Sequence, residues 1–407
     1  DMRRRFTVDA FRKIGLDCFE PEGAFYLFPQ SPISDDVAFC DLALKHHLVI
    51  VSGTSFGYPG YFRLAYCVSI KRCFCGTSER CGGKMSYGLD IKNKKDLVGI
   101  CYSTWFNPIV SENGPKPKNI AEILAGKDTW GNIGQFHFWS EPALGYYRSD
   151  DPKIIRRHME MLQAAGIDFI ILDNTNASPD WDVGTPDDYW DEMLRQPIEA
   201  LFRTLLEMRN EGLKTPYVVS WNKTDPEIGY SVCDKIYKEH FSKPEYKDLL
   251  VYWGDKLFTL TTELTENPPQ YTEVRKMWGL VKNLAPCEWS FLSHENKPCE
   301  DYNGNYEQIC VCTAAQATYM TCTDTALGRQ GGKTFYRQWK NAFDARPRIV
   351  TVTWWNEWAA QRFLVEDETA FVDNYTPEFS RDIEPMKGGH GDTYYKWLVE
   401  YVRAYKA

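Results

Sequence analysis

In this 407-residue chain the run Ile349–Thr353 leads straight into Trp354-Trp355-Asn356-Glu357-Trp358. A carboxylate that ends an apolar, β-branched run and is framed by indoles can act as a base or nucleophile beside a flat ligand. Other apolar runs end in similar ways: at Trp105-Phe106-Asn107, Trp139-Ser140-Glu141, Asp173-Asn174-Thr175-Asn176, Trp221-Asn222 and Glu288-Trp289. Sugars present apolar C–H faces and hydroxyl edges, so they suit aromatic platforms beside short polar side chains. The candidate acid–base groups are Glu357, Asp173, Glu288 and Glu384. The candidate ligand contacts are Trp105, Trp139, Glu141, Asn176, Trp221, Trp355, Asn356 and Trp358. Core filling explains any one tryptophan, but it explains their recurrence at strand ends less well.

Several of these residues carry a second reading. Asp173 is either a catalytic carboxylate or a local cap. Glu288 beside Trp289 is either an acid raised by desolvation or half of an ion pair with Lys or Arg. His137 and His390 suit loop bracing, because no H-x-x-x-H or H-E-x-x-H spacing occurs and no metal is expected.

Eight apolar runs supply the strand ends: Leu97–Trp105, Gly134–Trp139, Asp168–Asp173, Tyr217–Trp221, Leu249–Gly254, Cys287–Leu292, Tyr319–Cys322 and Ile349–Trp354. Helical spacing predicts helices at Pro152–Ala165, Pro186–Glu211, Tyr271–Asn283, Glu307–Thr318, Phe335–Ala345 and Thr393–Tyr405. This alternation predicts an α/β fold, a (β/α)8 TIM barrel over residues 90–407, with its chemistry at the C-terminal strand ends. An open doubly wound sheet is the alternative, weakened because no Gly-rich phosphate loop follows a strand.

All 14 tryptophans lie at or after Trp105. Residues 1–84 carry 11 Lys+Arg against 9 Asp+Glu, within a chain of net charge −9. The two parts therefore differ in kind. That charge argues against nucleic acid and an anionic membrane surface as partners. No apolar run is long enough to cross a bilayer. The 13 cysteines are odd in number and irregularly spaced, which points to reduced thiols and a cytoplasmic location. The chain does not begin with Met, so secretion stays open if a leader was removed. Residues 71–89 read as a Cys/Gly-rich linker. The spacing of Cys67, Cys73, Cys75 and Cys81 is not that of a zinc knuckle.

Residues 1–70 read as a small α+β segment: a helix over 2–14, strands at Asp17–Glu20 and Ala24–Phe28, a helix at Ser34–Lys45, and strands at Val49–Ser52 and Tyr61–Val68. The phrases EPEGAFYLFP (20–29) and SGTSFGYPGYFRLAYC (52–67) resemble the C-terminal small domain of fold-type I aminotransferases dependent on pyridoxal phosphate. The resemblance implies that Arg63 grips a substrate carboxylate, which suits its bidentate fork. The large domain and the lysine that would form the Schiff base have no counterpart here. No cofactor is therefore expected, and a severed remnant is favoured over a small folded appendage, with a pyridoxal-phosphate enzyme as the remaining rival.

Residues 95–406 resemble the glycoside hydrolase family 71 and 99 group and its WbsX-type relatives. The phrases are VGICYSTWFNP (98–108), FWSEPALGYYRSDDPKIIRRHMEMLQAAGIDFIILDNTN (138–176), VTWWNEWAA (352–360) and FSRDIEPMKGGHGDTYY (379–395). The resemblance implies a (β/α)8 barrel acting on an oligo- or polysaccharide, with Glu357 as the base. It places the general acid/base at position 360, which here is Ala360 and cannot transfer a proton. Three readings follow. Another carboxylate replaces the acid, with Glu384 preferred and Asp173, Glu288 and Glu141 as alternatives. Or the mechanism differs but still uses Glu357. Or the barrel binds glycans without catalysis. On the first two readings Glu357→Gln is expected to abolish hydrolysis and leave the thermal melt almost unchanged. The sugar, the linkage and the oligomeric state are not encoded in these motifs.

Overall fold

Runs of β-branched and aromatic residues with no polar face form strands when a sheet is covered on both sides. The computed structural model describes residues 8, 11–13, 15, 16, 18, 26–45, 48, 50–65, 87–111, 113–177, 187–279, 284–292, 294–316, 318, 320, 325–372 and 376–407. The chain divides into two compact units, Asp1–Met85 and Ser86–Ala407.

In the smaller unit β1 (Tyr26–Leu27), β2 (Val51–Ser52) and β3 (Phe62–Ala65) form an antiparallel sheet in the order β1-β3-β2, accompanied by helix α1 (Asp36–Lys45). Phe11, Leu27, Ala43, Ile50 and Phe62 form its core. Asp36 ties the helix to the following loop by accepting from the Thr54 N–H at 2.8 Å and the Thr54 hydroxyl at 2.7 Å. These donors hold its carboxyl well below the usual range. The helix expected over 2–14 lies largely outside the described residues, as does most of 17–25. Residues 66–86, with the four clustered cysteines and nearly all of the expected linker, also lie outside them.

The larger unit contains β4 (Leu89–Asp90), β5 (Leu97–Tyr102), β6 (Phe136–Phe138), β7 (Phe169–Asn174), β8 (Tyr217–Asn222), β9 (Val251–Trp253), β10 (Lys256–Thr261), β11 (Thr272–Met277), β12 (Glu288–Trp289), β13 (Cys299–Glu300), β14 (Tyr306–Cys312), β15 (Ile349–Thr353), β16 (Ala359–Val365) and β17 (Glu368–Phe371). The order β12-β11-β10-β8-β7-β5-β15-β14 is parallel at every step. The fold is thus mixed α/β with a large, mainly parallel sheet.

Along the strands side chains alternate between two apolar layers. Val98, Ile100, Ile170 and Leu172 join a cluster with the helices. Leu97, Cys101, Phe169, Ile171, Val219, Trp221 and Phe258 join a second cluster on the opposite face. Gly99 lies on that second face, and a Cβ there would come within 2.2 Å of the Phe169 ring. Helices α2 (Pro152–Ala164), α3 (Gln196–Asn210), α4 (Lys333–Ala345) and α5 (Thr393–Lys406) cover the first face. The α2 helix starts where Asp151 caps the Lys153 N–H at 2.8 Å with Pro152 in the first turn, and it stops at Gly166 with φ 78°.

Among the described residues no backbone ladder joins β12 to β14. Side chains bridge that seam instead. The Ser290 N–H donates to Gln308 Oε1 at 2.8 Å, Gln308 Nε2 donates back to the Ser290 carbonyl at 3.1 Å, and the Cys310 N–H donates to Ser290 Oγ at 2.8 Å.

Five of the eight parallel strands lie within the runs expected from sequence, allowing one residue of overrun at the C-terminal end. The runs Gly134–Trp139 and Leu249–Gly254 yield β6 and β9, which do not join the parallel series. β6 pairs antiparallel with β16, beyond the strand ends, and β9 pairs antiparallel with β10. Tyr271–Asn283 and Glu307–Thr318, helices by spacing, instead hold β11 and all but the first residue of β14. Val274, Met277 and Trp278 imitate a helical spacing, yet Thr272 and Val274 are β-branched and the segment pairs on both edges. Ile309–Cys312 is buried on both faces, so it shows no alternation to mark it as a strand. Most of Tyr319–Cys322 lies outside the described residues. Among the described residues no helix is long and apolar enough to cross a membrane.

The seam gives a prediction. Gln308 is fully buried and serves both strands, and it also donates to Thr351 Oγ1 at 2.6 Å. Gln308→Ala should lower the unfolding free energy by about 1–3 kcal/mol, because it leaves Ser290 groups unsatisfied. Urea unfolding with an unchanged midpoint would show that the bridge does not hold the seam.

Candidate active site

The alternation that fills the second apolar layer also delivers the polar side chains. Asp173 continues the series Phe169, Ile171, Asp173 on β7, and Trp221 follows Val219 on β8. Glu357 stands four residues beyond the end of β15. These three and Trp105, Trp278, Trp354, Phe291, Thr175, Asn176, Gln316 and Arg381 line one cleft of about 140 Å³. Four indoles and two carboxylates therefore share one opening. Cys101 lies close to both carboxylates, and its thiol is pushed up by burial first, then by Cys310, Asp173 and Glu357.

Glu357 is 3% exposed. Its Oε2 accepts from Arg381 Nη2 at 2.6 Å, and Arg381, 1% exposed, also donates from Nη1 to Gln316 Oε1 at 2.7 Å. The Glu357 N–H donates to Asp382 Oδ1, and Trp139 Nε1 donates to Asp382 Oδ2 at 2.6 Å. Asp382 is fully buried. Burial pushes its carboxyl up to about 7, against the opposing pull of Arg329, Trp139 and Arg381. Asp173 holds a tight local turn through the Thr175 N–H at 2.8 Å, while its carbonyl accepts from Trp105 Nε1 at 3.0 Å.

Glu384 does not reach the cleft. It is 1% exposed and enclosed. Its Oε2 accepts from the Tyr147 hydroxyl at 2.7 Å and Trp358 Nε1 at 2.6 Å, and its Oε1 lies 3.0 Å from His158 Nε2. Burial first and then Glu384 push the hydroxyls of Tyr147 and Tyr102 upward, so both stay protonated. The sequence reading of Glu384 as a carboxylate returning over the mouth gives way to a buried brace.

Glu288 is paired with Lys276 at 3.5 Å and accepts from the Ala285 N–H at 3.0 Å, and it does not line the cleft. Trp139 and Trp358 are fully buried and stacked, with ring centroids 4.6 Å apart. Trp355 is equally buried against His158. These three frame the site without lining it. Asn356 holds the end of β5 in a two-way bond with Ser103, and Glu141 pairs with Lys387. Ala360 sits buried on β16 in an apolar cluster with Phe106, Phe138 and Trp139. Arg63 belongs to the smaller unit, where its guanidinium lies 4.5 Å from the Phe56 ring centre. The described lysines of that unit, Lys13 and Lys45, are exposed. Among the described residues no group of three His, Cys, Asp or Glu could hold a metal.

Sequence reasoning missed Arg381, Asp382, Gln316, Trp278 and Trp354. Arg381 and Asp382 directly precede the Ile383-Glu384-Pro385 motif. Two charges beside a motif carboxylate were the available signal. Trp278 sat inside the segment read as a helix.

The family model for aminotransferase class I and II matches residues 1–73. An aspartate aminotransferase of Thermotoga maritima is 44% identical over 71 residues, covering 17% of this chain and 19% of that protein. A probable aspartate/prephenate aminotransferase of Aquifex aeolicus is 38% identical over 79 residues, covering 18% of this chain and 20% of that protein. The chain thus spans about a fifth of the length of the curated relatives it matches. Over most of the chain the structural neighbours are GH99 endo-alpha-mannosidases. One from Bacteroides thetaiotaomicron aligns over 77% of this chain and 98% of its own, at 12% identity and a TM-score of 0.48.

The ion pair corrects one expectation. Glu357→Gln removes the charge facing a buried guanidinium, so the melt should fall and not stay level. Asp382 gives a pH prediction. Its folded-state value is raised above the unfolded one, so its contribution to stability is full in acid and is lost as pH rises through about 7. The Tm of the parent protein relative to Asp382→Asn should therefore decline from about pH 4 to about pH 7. A difference independent of pH would show that Asp382 is ionised throughout.

Proposed function

We propose that residues 86–407 form a (β/α)8 barrel, sealed at the β12–β14 seam by Ser290 and Gln308, that acts as a glycoside hydrolase on an oligo- or polysaccharide. The observation that carries this reading is the cleft in which Asp173 and Glu357 stand among Trp105, Trp221, Trp278 and Trp354. The indoles would take the apolar faces of a sugar ring. Thr175, Asn176 and Gln316 would take its hydroxyls. Glu357 is the base or nucleophile-like carboxylate. Asp173 is the partner acid in place of the residue lost at 360, since two-carboxylate hydrolysis needs one group protonated and one ionised. No metal or pyridoxal phosphate takes part in this scheme.

A second reading, glycan binding without turnover, is favoured by Ala360, which sits in an apolar cluster where the family pattern places an acid.

The two readings separate in one assay. Oligosaccharides and aryl glycosides, α-mannosides included, are incubated with the parent protein, Glu357→Gln and Asp173→Asn. Hydrolysis by the parent should fall about 10²-fold or more in each variant. A fully active Glu357→Gln protein would sink the assignment. Glycan-array binding without turnover would establish the second reading.

A further inference from the structure

The segment 380–384 is fixed to the end of β15 by its backbone. The Arg381 carbonyl accepts from the Trp354 N–H at 3.3 Å and from the Thr313 hydroxyl at 3.0 Å. The Ile383 N–H donates to the Trp354 carbonyl at 3.0 Å, and the Glu384 N–H to the Trp355 carbonyl at 2.9 Å. Arg329 Nη2 donates to the Asp382 carbonyl at 2.8 Å. From this strap three charged side chains reach the loop that carries Glu357. Arg381 takes its carboxylate, Asp382 its backbone N–H, and Glu384 the indole of Trp358.

We infer that Arg381 is a positioning residue that keeps Glu357 anionic and fixed on the cleft wall, so that Glu357 works as base or nucleophile and not as proton donor. This rests on the reading of Glu357 as the working carboxylate. A guanidinium in hydrogen-bond contact favours the charged form of a carboxylate. Both groups are almost wholly withdrawn from water, where such a pair is screened least. Gln316 holds the other arm of the fork, so the guanidinium is fixed on two sides before a substrate arrives. The arrangement divides the work of the two cleft carboxylates. The group beside the cation stays ionised, and proton donation falls to Asp173.

The test needs no substrate. Protein labelled with 13C at the glutamate carboxyls is titrated by NMR, and the Glu357 resonance is assigned by its loss in Glu357→Gln. In Arg381→Met the Glu357 midpoint should rise by about one to three pH units. Arg381→Lys should restore most of the difference, because the charge returns without the fork. A merely structural role would lower stability and leave the midpoint in place. An unchanged Glu357 midpoint in Arg381→Met overturns the inference. If that variant does not fold, Gln316→Leu, which frees the guanidinium from its brace, should raise the midpoint by a smaller amount, and no change there overturns it. A protein that hydrolyses nothing would remove the proposed function yet leave this titration readable.

Discussion

The buried pair of Glu357 and Arg381 is the interaction on which the organisation of the cleft depends. Removing two charges from water costs several kcal/mol each, and only close geometry with further hydrogen bonds offsets that cost. The surroundings supply it. Gln316 holds the second arm of the guanidinium, Asp382 receives the Glu357 N–H, and the Arg381 carbonyl is tied to Trp354 and Thr313. Each is a constraint on where one carboxylate stands.

The rest of the unit delivers those constraints from distant parts of the chain. Parallel strands bring Asp173, Trp221 and Trp354 to one opening, because alternate side chains of each strand face the same layer. The second tier of charged residues does different work. Glu384, with Tyr147, His158 and Trp358 around it, stiffens the wall behind the cleft without entering it. A scaffold of this kind gives a rigid first layer and leaves few side chains free to adjust, which suits a site that must hold charge in a fixed place.

Much of this was legible in the sequence. The ends of the apolar runs Asp168–Asp173 and Tyr217–Trp221 pointed to Asp173 and Trp221, and the WWNEW stretch pointed to Glu357. What was not legible has physical causes. Buried parallel strands lose the alternation that distinguishes strand from helix, so β14 was read as a helix. In β11 Val274, Met277 and Trp278 happened to fall at helical spacing. Tryptophans that frame the site carry the same signature as tryptophans that line it, and only packing separates Trp139 and Trp358 from Trp105 and Trp221. The charge of Arg381 beside the Glu384 motif was visible, but nothing in it marked a role. Its role comes from a contact across 24 positions of sequence that no local pattern encodes. Glu384 stood in a recognisable motif, and its position followed from the motif while its role did not.

The measurement that bears most directly on this account is a double-mutant cycle of unfolding free energy through Glu357→Gln, Arg381→Met and the double variant. Each single change takes away one charge of the pair and leaves the other buried, whereas the double change removes both. The double variant should be more stable than the two single losses added together imply, by about 1–3 kcal/mol. Losses that simply add would contradict it, because the cleft would then be organised by something other than this pair.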